Sequence, residues 1–192
     1  VLDRYKNYCI NIINSCTFDD IDISDLSIKD SIFNKTSFIN FVKNDTYNID
    51  PYILGYWLGD GFSESGIICA HFDDSDFLKE YLNSLSINYK AVRYKNDCNV
   101  ERIKIENLYR NLRLSNLLKN KHIPENYLFG SKDIRFKLLA GLIDSDGCVD
   151  KNGNIDISFS KKDLAFDVYN LIKSLGIHIT NIRCRIGKYK KN

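Results

Sequence analysis

The chain has 192 residues, 44% apolar and 27% charged, with 27 Lys+Arg against 25 Asp+Glu, 2 Pro, 6 Cys and no Met. This composition can bury a core, which excludes a disordered tail, a collagen-like repeat and a small disulfide scaffold. No apolar run approaches the ~18 residues of a membrane span and the N-terminus lacks a signal-peptide pattern, so no membrane is expected.

The formal charge of +2 averages two unlike halves. Residues 1–100 carry 9 basic and 15 acidic side chains, and residues 101–192 carry 18 and 10. A basic half is a candidate surface for a polyanion, although solvated faces are also charged. A chain that opens on Val1 without Met reads as a piece of a longer polypeptide. Cys9, Cys16, Cys69, Cys98, Cys148 and Cys184 form no close pair, so neither a zinc ribbon nor a thioredoxin-like site is expected. Reduced thiols are the simplest reading, with Cys69 and Cys184 as small core residues.

In chain order, residues 1–50 form an N-terminal extension with 5 basic and 8 acidic residues. A first unit spans 51–121. Its opening helix takes Asp50 as cap and Pro51 as first residue, and ends at Gly61. Short strands follow, then an amphipathic helix over Asp76–Leu85, strands over Tyr89–Lys95 and Val100–Glu106, and a helix over Leu108–Leu118. A linker, 122–136, leads to a second unit, 137–192. Here Ser131 is a candidate cap, Gly147 closes the first helix, Ile155–Phe159 alternates as a strand and Lys162–Leu175 is an amphipathic helix.

The two units repeat. Ile53–Gly61 (ILGYWLGDG) aligns with Leu139–Gly147 (LAGLIDSDG) at an offset of 86, and Ser84–Ile87 and Val92–Lys95 align with Ser174–Ile177 and Ile182–Arg185 at 90. Three matches in order, with one small insertion near Asp150–Gly153, indicate a duplicated unit. The counterpart of Val100–Glu106 would fall at 190–196, so the second repeat is expected to be truncated.

In each opening helix small residues recur four apart, Gly55 with Gly59 and Gly141 with Ser145, so two helix backbones can approach closely about a pseudo-twofold axis. Asp60 and Asp146 then share one place, the last turn, where a carboxylate meets the negative end of the helix dipole at a cost of roughly 0.3–1 kcal/mol. One Asp-Gly is an ordinary helix-ending turn. Two at equivalent positions ask for a cation between them, and hard oxygen ligands suit Mg²⁺.

These two strings, YILGYWLGDG at 52–61 and LLAGLIDSDG at 138–147, resemble the paired motifs of the LAGLIDADG (dodecapeptide, DOD-type) homing endonucleases. The resemblance covers roughly residues 51–192. It implies an α+β fold of tandem αββαββα repeats with pseudo-twofold symmetry, whose motif helices meet at the interface and whose sheets grip DNA. It also implies two or three Mg²⁺ ions held by Asp60 and Asp146, and a catalytic Lys, which falls on Lys121 in Lys121-His-Ile-Pro124. Asp144 pairs with Leu58 in the repeat and is not assigned a catalytic role. The stretch Ile21–Asp30, followed by Asn48–Tyr52, resembles the segment that joins an intein's splicing domain to its endonuclease. Splice-junction residues are not found at Val1 or at Lys191-Asn192.

Specific DNA contact is expected from strand faces. Arg183 and Arg185 alternate with Ile182, Cys184 and Ile186, and the same alternation is read for Arg93 and Lys95 and for Arg102 and Lys104. A basic β-ribbon fits the major groove, where Arg can pair bidentately with guanine. Lys188 and its neighbours Lys190 and Lys191 are expected on phosphates. The function expected is therefore site-specific double-strand cleavage of DNA at a long asymmetric target by an intracellular monomer, the endonuclease part of an intein. A non-cleaving DNA- or RNA-binding descendant, maturase-like or regulatory, is the alternative.

Overall fold

The computed structural model describes residues 2–12, 39–41, 46–93 and 99–190, with side chains for all of these except 2–7, 11 and 187–190. Helix α1 (Pro51–Asp60) starts as its sequence dictates. The Asp50 carboxylate accepts from the N–H groups of Tyr52 and Ile53 at 2.9 and 3.2 Å, and Pro51 lacks the N–H that would otherwise go unpaired. Its counterpart α5 (Lys132–Asp146) is capped by Ser131, whose hydroxyl accepts from the Ile134 N–H at 3.4 Å. The second motif helix therefore begins inside the stretch 122–136 expected to be linker, which also holds the one-turn helix α4 (Glu125–Leu128).

Both motif helices end alike. Gly61 and Gly147 are extended, at φ −78° and −81°, and each donates its N–H back to the helix, to the carbonyls of Trp57 and Ile143.

Pro51 to Leu58 are all buried, so α1 runs through the middle of the protein with α5 against it. The helices are parallel, since contacts climb both chains together. A methyl group on Gly55 would land on the Leu138 carbonyl oxygen, one on Gly141 on the Tyr52 carbonyl oxygen, and one on Gly59 on the Ser145 side chain. Backbone meets backbone at this seam, which only glycine permits.

One antiparallel sheet belongs to the first unit: β2 (Ile67–His71), β3 (Tyr89–Arg93) and β4 (Val100–Ile105), in the order β2-β4-β3. Helix α2 (Phe72–Ser84) starts four residues earlier than its apolar pattern suggests, because the His71 imidazole accepts from the Asp73 N–H at 3.4 Å and caps it directly after β2. Helix α3 (Leu108–Leu114) stops short of Leu118 at a turn in which Asn116 takes φ 55°.

The second sheet runs β5-β6-β1-β7, from β5 (Gly147–Val149), β6 (Ile155–Phe159), β1 (Leu2–Ile12) and β7 (Arg183–Lys190), with α6 (Lys162–Ser174) packed on it. Strand β1 holds the place that β4 holds in the first sheet, antiparallel to both neighbours. Ile10 pairs with Ile157 and Ile12 with Ile155, much as Ile103 pairs with Ile68. Residues 2–12, expected to lie in an extension ahead of the repeats, instead enter the second unit's sheet, beside β7, the last strand among the described residues. Ile21–Asp30, read as a joining segment, lies outside the described residues.

The core fills between helices and sheets. Ile68, Ala70, Ile103 and Ile105 are buried with Leu78 and Leu82 of α2, and Ile10, Ile157 and Phe159 with Leu164, Val168, Leu171 and Ile172 of α6. The fold is α+β with antiparallel sheets, as expected. The reading of Cys69 and Cys184 as core residues is corrected: Cys184 is exposed and Cys69 half-buried, because Ile68 and Ala70 take the inner face of β2. Among the described residues no helix is long and apolar enough to cross a membrane.

Candidate nuclease centre and basic strand faces

Asp60 and Asp146 close the last turns of two parallel helices, so the negative ends of both dipoles and two carboxylates converge at one end of the seam. Removal from water pushes the Asp60 carboxyl up to about 7, the charge on Asp146 adds to this, and Lys121 opposes it. Asp146 is raised as well, first by removal from water, with Lys121 again opposing.

Lys121 reaches this place from the extended stretch after α3. Its ammonium donates to the carbonyls of Leu58 and Gly59, 2.9 Å in each case, and stands 5.1 Å from the centre of the Trp57 ring. Those carbonyls belong to the last turn of α1, where acceptors lack helical partners and a cation is favoured. Burial pushes Lys121 down to about 8, while Asp146 and Asp60 hold it up. The structure thus brings Asp60, Asp146 and Lys121 into one electrostatic cluster.

Asp144 is engaged elsewhere: the Tyr52 hydroxyl donates to it at 2.8 Å across the seam. Ser145 donates to the Leu142 carbonyl at 3.1 Å and lies against Gly59.

Among the described residues no group of three or more His, Cys, Asp or Glu is placed to hold a metal. The available set is the two carboxylates. That small set is chemically compatible with Mg²⁺, which commonly keeps several waters and takes one or two carboxylates plus substrate phosphates. Asp60 and Asp146 could hold such an ion, and their mutual repulsion would be relieved by it.

Strand register decides which basic residues share a face, because directly paired residues of antiparallel strands lie on the same side. Arg102 pairs with Val92 and Cys69, and Lys104 with Lys90 and Ile67, so Arg102, Lys104 and Lys90 line the face away from the core. Arg93 does not join them. It pairs with Glu101 on the opposite face, lies 3.4 Å from that carboxylate and stacks 3.9 Å from the Phe72 ring centre. The expected basic row is corrected accordingly: Lys90 stands in it and Arg93 does not. Lys95 lies outside the described residues.

In the second sheet Arg183 pairs with Cys9 and Arg185 with Asn7, the face opposite Ile10 and Ile12, and both arginines are exposed. Lys188 lies in β7 opposite Arg4, with its side chain outside those described.

Two residues that the sequence did not single out also bear on the centre. The Asp167 carboxylate on α6 accepts the Ile123 N–H at 3.0 Å, and the Lys161 ammonium donates to the Lys119 carbonyl at 3.1 Å. Both reach across to the stretch that carries Lys121. A signal was available: the repeat alignment at 90 sets Asp167 opposite Phe77, a carboxylate against an aromatic.

Comparison with known proteins bears on the same elements. The replicative DNA helicase DnaB of Mycobacterium intracellulare is 38% identical over 128 residues, 67% of this chain and 19% of that protein, so this chain spans about a fifth of that relative's length. The profile of the family described as LAGLIDADG-like domain matches residues 133–192. From Asp133, in the first turn of α5, to Asn192, the chain is therefore similar to LAGLIDADG-like domains.

Proposed function

We propose that this chain is a metal-dependent, site-specific double-strand DNA endonuclease carried within a longer protein, the endonuclease part of an intein. The observation that carries the reading is the pair of carboxylates at the joined ends of two parallel helices, with the Lys121 ammonium on the carbonyls beside them. A match confined to about a fifth of a replicative helicase supports an inserted unit.

In this reading Asp60 and Asp146 would hold Mg²⁺, and the ion would supply charge at the scissile phosphodiester. Bound there, Mg²⁺ supplies charge for the phosphoryl oxygens and lowers the pKa of a water. A water oxygen bonds to phosphorus, the bond from phosphorus to the 3′ oxygen breaks, and that oxygen takes a proton. Lys121, pushed down to about 8, is near half-neutral under mildly basic conditions, and its neutral Nζ accepts the proton that the attacking water loses, while the 3′ oxygen takes its proton from solvent water. Arg102, Lys104, Arg183 and Arg185 face the major groove and supply base and phosphate contacts, and Lys90 joins them.

The test is incubation with duplex DNA spanning the uninterrupted host-gene sequence in Mg²⁺. Cleavage that Asp60→Asn or Asp146→Asn lowers by about 10²-fold or more supports the reading. Binding without nicking, unchanged by either substitution, favours the non-cleaving binder. Loss of all binding at low salt would sink both.

A further inference from the structure

We infer that Asp167 is a positioning residue for Lys121: from α6 of the second unit it anchors the backbone that carries this lysine out of the first. The inference rests on the proposed role of Lys121 and deepens it. Lys121 has a flexible four-carbon stem, so its ammonium finds the Leu58 and Gly59 carbonyls reliably only if its backbone is fixed.

Both sides of the stretch are held. At one end the Lys119 N–H donates to the Ser63 carbonyl at 2.6 Å, a contact inside the first unit. Two residues beyond Lys121, the Ile123 N–H donates to the Asp167 carboxylate at 3.0 Å, a contact to the second unit. The Ile123 side chain is buried, and Pro124 after it restricts Ile123 to extended backbone. A polar residue on an amphipathic helix usually faces water. Asp167 is instead half-buried and turned onto an amide of the linker; burial raises its proton affinity, and the Ile123 N–H and His122 oppose that rise. Its counterpart in the repeat, Phe77, is 59% exposed and offers no such contact. A charge-assisted bond of this kind is strong enough to fix a short segment.

Two arms test the inference. In the first, the metal-free chain without DNA is acetylated with acetic anhydride and each lysine is followed by mass spectrometry. Asp167→Ala should speed labelling of Lys121 by about 3-fold or more and leave the half-buried Lys79, far away on α2, unchanged; Asp167→Asn, whose amide oxygen still accepts the Ile123 N–H, should label as wild type.

In the second arm, single-turnover cleavage at saturating DNA should fall about 10-fold in Asp167→Ala with DNA affinity kept within about 2-fold, recover in Asp167→Asn, and show no further loss when Asp167→Ala is added to Lys121→Ala. Unchanged Lys121 labelling, a general rise at all lysines, or additive losses in the double variant would overturn the inference. If the wild-type chain does not cleave, the endonuclease reading fails, while the labelling arm still decides whether Asp167 places Lys121.

Discussion

A carboxylate whose proton affinity is raised in the folded chain makes stability fall as pH rises. For Asp60 the unfolded value is 3.8 and the folded one about 7. Between these the folded chain binds a proton that the unfolded chain has released, so metal-free stability declines from about pH 4 to about pH 7. Lys121 has the opposite consequence at higher pH: its folded value is about 8 against 10.5 unfolded, so stability recovers across that interval. Asp60→Asn should therefore stabilise the metal-free protein by on the order of 1–2 kcal/mol at neutral pH and by little near pH 4, read from thermal melts at both.

Tyr56 makes a second test at this scale. Its hydroxyl is buried without a hydrogen-bond partner among the described residues, so Tyr56→Phe should leave stability unchanged or raise it by up to about 1 kcal/mol in denaturant titration. The acids were legible in the sequence because they repeat at one offset. The facing of Arg93 was not, because alternation says which residues share a side but not which side faces the core. Only the pairing of Arg93 with Glu101 decides that.

The seam between α1 and α5 belongs to the scale of elements. Gly55 and Gly141 each face a backbone carbonyl of the other helix, an atom that cannot move without moving its helix. Gly141→Ala should cost about 3 kcal/mol despite a better helix propensity, and Gly55→Ala should do the same, as unfolding midpoints will show. Helix starts were read from capping chemistry, and Asp50 and Ser131 both cap as expected. Helix ends and linkers are less legible in the sequence. The start of α2 depends on a histidine ring acting as cap and the end of α3 on Asn116 at positive φ, choices that hydrophobic periodicity does not encode.

Across the whole molecule, basic residues divide between a face turned to solvent and contacts turned inward. Under the proposed function, Lys104→Ala should weaken DNA binding at all sequences and reduce the slope of log affinity against log salt by about 0.9, whereas Arg93→Ala should leave the slope unchanged and lower stability through Glu101. Fluorescence anisotropy at several salt concentrations separates the two. The likeness of the two motif helices was legible because ILGYWLGDG and LAGLIDSDG align and both helices end at an extended glycine. The place of β1 was not: a strand joins a sheet through backbone pairing, and nothing in residues 2–12 names its partners.

The glycine seam also has a bearing on where the chain tolerates substitution. Two helices held backbone to backbone leave almost no room for change at their contact, while the sheets on either side touch different solvent and share no strand. Each half can therefore accept substitutions in its outer strand positions without displacing the other. Substitution is thus confined at the join and open at the flanks, so the two halves can differ in their outer strand positions while the seam keeps them together.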